Sequence, residues 1–130
     1  MFESRTLSVS VNCAAKKVYD FASEPSNLPS WAKAFCRSIK KAGGDWIAET
    51  PQGPMKLRFA EKNNLGVLDH HVSPDSGTDI YVPMRVVPND RGSEILFTLF
   101  RPPDMPDDEF AKNVLWVERD LKSLKGFLES

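Results

Sequence analysis

Cysteine is scarce in this chain. Cys13 and Cys36 stand apart, with no CxxC pair and no histidine near either in sequence. That excludes a disulfide framework and a cysteine-built metal cluster, and two reduced thiols in a cytoplasmic protein are the expectation. Histidine is equally scarce: His70 and His71 are the only two, and they are adjacent. Adjacent residues on a strand face opposite ways, so the pair cannot close on one metal ion. Neither a metal nor another cofactor is expected.

Long apolar runs are missing too. None approaches the roughly 20 residues that a membrane-spanning helix takes. The opening MFESRTLSVSV has no basic stretch followed by an apolar one, so a cleaved leader is not expected either. Neither sign of charge is in excess: 17 basic residues stand against 18 acidic, a net charge of −1. No general field draws in nucleic acid or an anionic membrane. Lys16, Lys17, Lys40 and Lys41 are scattered among acids, and with no glycine-rich phosphate loop they read as solvated faces.

What is present suits a core. Hydrophobic residues are 41% of the 130. That is enough for one domain, residues 1–130, burying roughly two-thirds of its unfolded surface without staples. Leu7, Val9 and Val11 alternate with Thr6, Ser8 and Ser10, which predicts a strand from Arg5 to Val11. Asn12 is placed to cap a helix. On that helix Ala14, Val18 and Phe21 share a face, and Pro25 ends it. Pro29 suits the first turn of a second short helix that includes Trp31.

Between Cys36 and Arg101 turn signals recur at Gly43-Gly44, Pro51-Gln52-Gly53, Asn63-Asn64 with Gly66, Pro74 to Gly77, and Pro88 to Gly92. These five turns predict six strands, too closely spaced for crossover helices and therefore antiparallel. Met55, Leu57 and Phe59 share one face of their strand, as do Leu68, His70 and Val72. Ile80, Val82, Met84 and Val86 share another, and so do Ile95, Phe97 and Leu99, although Leu96 and Phe100 opposite are also apolar. After Pro102-Pro103, the residues Phe110, Val114, Val117, Leu121, Leu124 and Leu128 are spaced 4, 3, 4, 3 and 4 apart. That is one narrow stripe on a helix from Pro106 to Glu129, roughly 36 Å long. Pro106 suits its N1 position, and Asp107, Asp108 and Glu109 suit its dipole.

The expected fold is therefore α+β: a seven-stranded curved antiparallel sheet wrapped around a long C-terminal helix, with two short helices between strands 1 and 2. One stripe cannot fill the concavity. The space left over is a natural cavity, commonly about 300–1,000 Å³ for a small molecule.

This order resembles the START-like helix-grip superfamily, also called SRPBCC, over nearly the whole chain. The segments Val18-Tyr19-Asp20-Phe21-Ala22 and Pro25-Ser26-Asn27-Leu28-Pro29-Ser30-Trp31 are similar to its first helix and the entry to its second. Gly66-Val67-Leu68-Asp69-His70, Tyr81 to Pro88, and Phe97-Thr98-Leu99-Phe100-Arg101 resemble a polyketide cyclase/dehydrase-like subgroup. The resemblance implies the helix-grip fold and a hydrophobic pocket. The superfamily includes lipid carriers, aromatic polyketide cyclases, hormone receptors and chaperone activators, without a universal catalytic motif. Its members often cap the last helix with Ser or Thr; here Pro106 stands there, and Asp104 is the candidate cap.

His70 is the single residue placed for chemistry. Its parity points it into the concavity, with Phe59 and Val82 flanking it across the neighbouring strands. Burial would keep it neutral, able to orient a ligand hydroxyl or to act as acid/base; a satisfied core histidine is the competing reading. Trp31, Trp46, Phe59, Val82, Met84, Phe97, Val117 and Leu121 are the expected apolar lining, with Trp46 pairing Phe59 across the Pro51–Pro54 turn. Asp69, Glu49 and Glu61 fall on the outward parity as solvated carboxylates, and His71 falls there as a surface histidine. Tyr81 and Arg85 also face outward; a one-residue register shift would bring Arg85 inside. Trp116 and Phe127 lie off the helix stripe, packing under the first helices or forming a dimer contact.

Three functions remain open on these residues. The first is a binding protein for a small apolar or aromatic molecule, monomeric or homodimeric. The second is a cyclase or dehydratase of polyketide-like substrates using His70. The third is an interaction module without a ligand.

Overall fold

The computed structural model describes residues 1–130 apart from Ser76 and Thr78. The chain runs through β1 (Glu3–Val11), α1 (Ala15–Ala22), a 3-10 turn (Pro25–Asn27) and α2 (Leu28–Trp31). It continues as β2 (Ser38–Ala42), β3 (Asp45–Thr50), β4 (Gly53–Phe59), β5 (His70–Pro74), β6 (Ile80–Val82), β7 (Met84–Asn89) and β8 (Gly92–Arg101). It ends in α3 (Asp107–Glu129). Of the predicted Pro74–Gly77 turn, Ser76 lies outside the described residues, while the Gly77 N–H donates to the Pro74 carbonyl at 3.3 Å.

The strands are antiparallel, as their spacing requires. Among the described residues they number eight, in two sheets ordered β1–β8–β7 and β2–β3–β4–β5–β6. This corrects the expectation of one seven-stranded sheet, and Pro83 is the reason. A proline has no N–H to give a ladder. At Pro83 one extended run changes partner, so that β6 pairs with β5 and β7 pairs with β8. The Pro83 carbonyl accepts from the Thr98 N–H at 3.0 Å, and the Asp69 carboxylate takes the Met84 N–H at 2.9 Å. Side-chain parity survives the break, and Val82, Met84 and Val86 are all buried.

Two caps differ from expectation. Ala14 is the N-cap of α1, with no side-chain bond. The N–H of Asn12 instead donates to Glu129 Oε2 at 2.7 Å, tying the end of β1 to the end of α3. Pro106 is the N-cap of α3 rather than its N1 residue, and neither its side chain nor that of Asp104 caps the helix. The Pro106 carbonyl accepts from the Phe110 N–H at 3.1 Å.

The β4–β5 connection is folded around Asn63. Its Oδ1 accepts the Leu65 and Val67 N–H groups, its Nδ2 donates to the Glu61 and Val67 carbonyls, and its own N–H donates to the Tyr19 hydroxyl on α1. Gly66 (φ +74°) lets this loop lie against β7, where a Cβ would strike the Val86 carbonyl. The helix α3 crosses β1 and packs on α2. Phe110, Val114, Leu121, Leu124 and Leu128 of its stripe are buried against Leu7, Val11, Val18 and Ile95 of the core.

Candidate functional site

A cavity of about 180 Å³ lies between α3, α2 and the inward faces of β3 to β8. It is smaller than the range expected from the sequence because bulky side chains reach into it. Trp31 comes from α2, Phe59 from β4, Met84 from β7 and Phe97 from β8. Val82, anticipated from strand parity, and Val117 and Leu121, anticipated from the helical stripe, line it as well. The exposed Pro51 and Gln52 of the β3–β4 turn belong to the wall, which places an opening there.

Trp46 does not line the cavity. It stands opposite Leu57, and Phe59 instead faces His70. The cause is the turn: Thr50 pairs with Gly53, so the hairpin loop is only Pro51-Gln52. The pairing shifts by two residues from a four-residue Pro51–Pro54 loop, preserving the face but moving Trp46 along it. The Thr50 hydroxyl locks this turn by donating to the Gly53 carbonyl at 2.7 Å and accepting the Gln52 N–H at 3.1 Å.

His70 opens β5 opposite both Phe59 and Val82. Its ring is 5.5 Å from that of Phe59 and 6.0 Å, edge-on, from that of Phe97. Nδ1 lies 3.0 Å from the Leu68 carbonyl. A carbonyl can only accept, so Nδ1 carries the proton and Nε2 of the neutral ring keeps its lone pair. Burial pushes the imidazole pKa down, partly opposed by that carbonyl and by Asp69. His70 is half-buried and lines the cavity.

Asp120 was not anticipated. It is only 7% exposed and lines the cavity from α3. Oδ1 accepts the Ala34 N–H at 2.9 Å, and burial raises the carboxyl to about 6 against the pull of the Ala34 and Phe35 amides. A signal did exist, since Asp120 sits three residues after Val117 and four before Leu124, along the edge of the stripe. Trp116, four residues before it, lines the cavity together with Leu28 and Trp31 of the short helix α2. The apolar face of α3 is therefore edged by a second row, Asn113, Trp116 and Asp120. Phe127 does meet α1, stacked on Phe21 at 4.7 Å.

Other titratable groups are structural. Asp69 is not the solvated carboxylate its parity implied. It accepts from Arg85 Nε and Nη2, the Tyr81 hydroxyl and the Met84 N–H, and these donors, Arg85 foremost, hold its pKa down near 2. Tyr81 and Arg85 are exposed, in the unshifted register. His71 is paired with Asp79 at 2.8 Å on the outer face. Burial, with the nearby Asp120 charge, raises the Cys36 thiol to about 11, which removes it as a nucleophile. The indole N–H of buried Trp31 has no acceptor among the described residues. No cluster of three metal-ligating side chains occurs among them, and no helix is long and apolar enough to cross a membrane.

Comparison with protein-family models finds no match, and comparison with curated proteins finds none. Solved structures do match. An uncharacterized protein from Bacillus thuringiensis superposes with a TM-score of 0.81 at 16% identity, covering 98% of this chain and 100% of its own. A START superfamily protein from Mycobacterium smegmatis gives 0.74 at 14% identity over 97% of both chains. Ara h 8.0201 gives 0.74 at 14% identity over 98% of both. These overlaps span nearly the whole chain, and the chain has the START-like helix-grip, or SRPBCC, fold.

Proposed function

We propose that this protein binds a small, compact, mostly apolar molecule carrying an aromatic ring, held between the sheets and α3. The observation that carries the reading is the cavity itself. It is about 180 Å³, walled by aromatic and aliphatic side chains and interrupted by few polar groups, His70 and Asp120 among them. An apolar cavity of about 150 Å³ is enough to hold benzene. The size therefore favours a one-ring ligand over a long lipid chain. Burial of the ligand's apolar surface drives affinity, and Phe59 and Phe97 offer ring faces and edges on either side of His70. The Nε2 lone pair of His70 accepts a hydrogen bond from a ligand hydroxyl and fixes its orientation.

A second reading, a cyclase or dehydratase acting on a polyketide-like substrate, has one feature in its favour. The same Nε2 is an unprotonated base inside an apolar cavity, the state a general base needs. His70→Gln abolishes turnover if that reading holds.

Native mass spectrometry before and after denaturing extraction tests the binding function. A single small molecule, carried through purification or added as phenethyl alcohol, is expected at one per chain. No bound species in either case, together with no rise in melting temperature on adding single-ring aromatics, overturns the reading.

A further inference from the structure

The cavity holds a second polar feature that apolar binding leaves unused. Asp120 is more than nine-tenths buried, yet no ion pair among the described residues involves it. Among the described residues its charge meets backbone amides, those of Ala34 and Phe35, and no lysine, arginine or histidine that would oppose the cost of burying it. Oδ1 accepts the Ala34 N–H at 2.9 Å, and the Phe35 amide also bears on the carboxylate. A buried carboxylate left without a cation is costly, and a structure normally supplies the partner. Here the space beside it is the ligand cavity.

The surrounding side chains suit a cation as well. Trp116 lies one helical turn before Asp120 on α3, and both line the cavity with Trp31 and Phe35. Indole faces attract ammonium groups, and the Trp116 ring already has the Lys112 ammonium 6.0 Å from its centroid. At the other end of the requirement, the size of the cavity admits one ring and a short arm rather than a larger base.

From Asp120, its missing counter-charge and the aromatic wall beside it, the geometry points to a ligand bearing a protonated primary amine on a short arm from an aromatic ring. The ammonium would sit at Asp120 and the ring between Phe59, Phe97 and His70. This assignment rests on the binding reading above and names its ligand class. A hydroxyl on the same arm would bond Asp120 but would leave the carboxylate charge unopposed, so it serves as the control. Burial raises the Asp120 carboxyl only to about 6, which leaves it ionised near neutral pH, where an aliphatic amine is protonated.

The test is calorimetric titration of the whole protein near neutral pH with phenethylamine and with phenethyl alcohol, which differ only in the terminal group. The amine is expected to bind about tenfold or more tighter, the margin of a charge-assisted over a neutral hydrogen bond. In Asp120→Asn that ratio should collapse to about one, because Asn keeps an acceptor for the Ala34 N–H but carries no charge. Alcohol binding as tight as amine binding in the unaltered protein overturns the amine assignment while leaving the cavity reading intact. That comparison does not depend on the variant folding. A preference that persists in folded Asp120→Asn also overturns it. Binding of neither compound defeats the cavity reading and the assignment with it.

Discussion

Phe59 stands directly opposite His70 across the β4–β5 ladder, with ring centroids 5.5 Å apart. This contact gives His70 an apolar neighbour on one side, and Phe97 supplies another. Burial lowers the imidazole pKa below the ordinary 6.5. A depressed histidine contributes stability that is present above 6.5 and lost as pH falls through its folded value. The melting temperature should therefore drop on that acid limb. His70→Gln, which does not titrate, should flatten it. Differential scanning calorimetry across the acid range reads the difference, and identical acid limbs would contradict the burial argument.

Asp120 has the opposite sign. Its folded pKa of about 6 exceeds the ordinary 3.8, so its contribution is full below 3.8 and is lost as pH rises through about 6. Asp120→Asn should be close to neutral in stability under acid conditions. Above pH 6 it should gain at most about 3 kcal/mol, the free-energy equivalent of that pKa difference. Urea midpoints on both sides of the transition separate this from a simple packing change, which would be the same at either pH.

Asp69 should matter for the fold rather than for binding. It gathers Arg85, Tyr81 and the Met84 N–H at the point where Pro83 breaks the ladder. Asp69→Asn is expected to cost about 2 kcal/mol, less than its pKa near 2 alone implies because Arg85 is half-exposed. The native protein should lose this contribution only as pH falls from 3.8 toward about 2. A chemical denaturation series measures both, and an Asp69→Asn protein as stable as the parent would refute the role.

Parity made much of this legible in the sequence. Period-two alternation placed Phe59, His70, Val82, Met84 and Phe97 on one side, and the helical spacing placed Val117 and Leu121 facing them; all seven line the cavity. Trp46 was misplaced because parity fixes the face of a residue but not its register. Register came from a two-residue turn where the sequence suggested four. The sheet count failed at Pro83, where alternation continues unbroken through a residue that cannot join a ladder. Asp120 was passed over for another reason. A carboxylate at the edge of an apolar stripe reads as the start of the solvated face until the cavity beside it is seen, since nothing in the sequence says whether a helix face meets core or empty space.

The central claim is that the cavity takes a small aromatic ligand, and the methionines offer the most direct test. Met55 and Met84 line the cavity, while Met1 and Met105 do not. Methyl NMR of methionine-labelled protein, titrated with phenethyl alcohol and then with phenethylamine, reads all four at once. The account predicts saturable shifts of the Met55 and Met84 methyls with Met1 and Met105 nearly unmoved. Shifts confined to Met1 or Met105, or no shift at any ligand concentration, would contradict it.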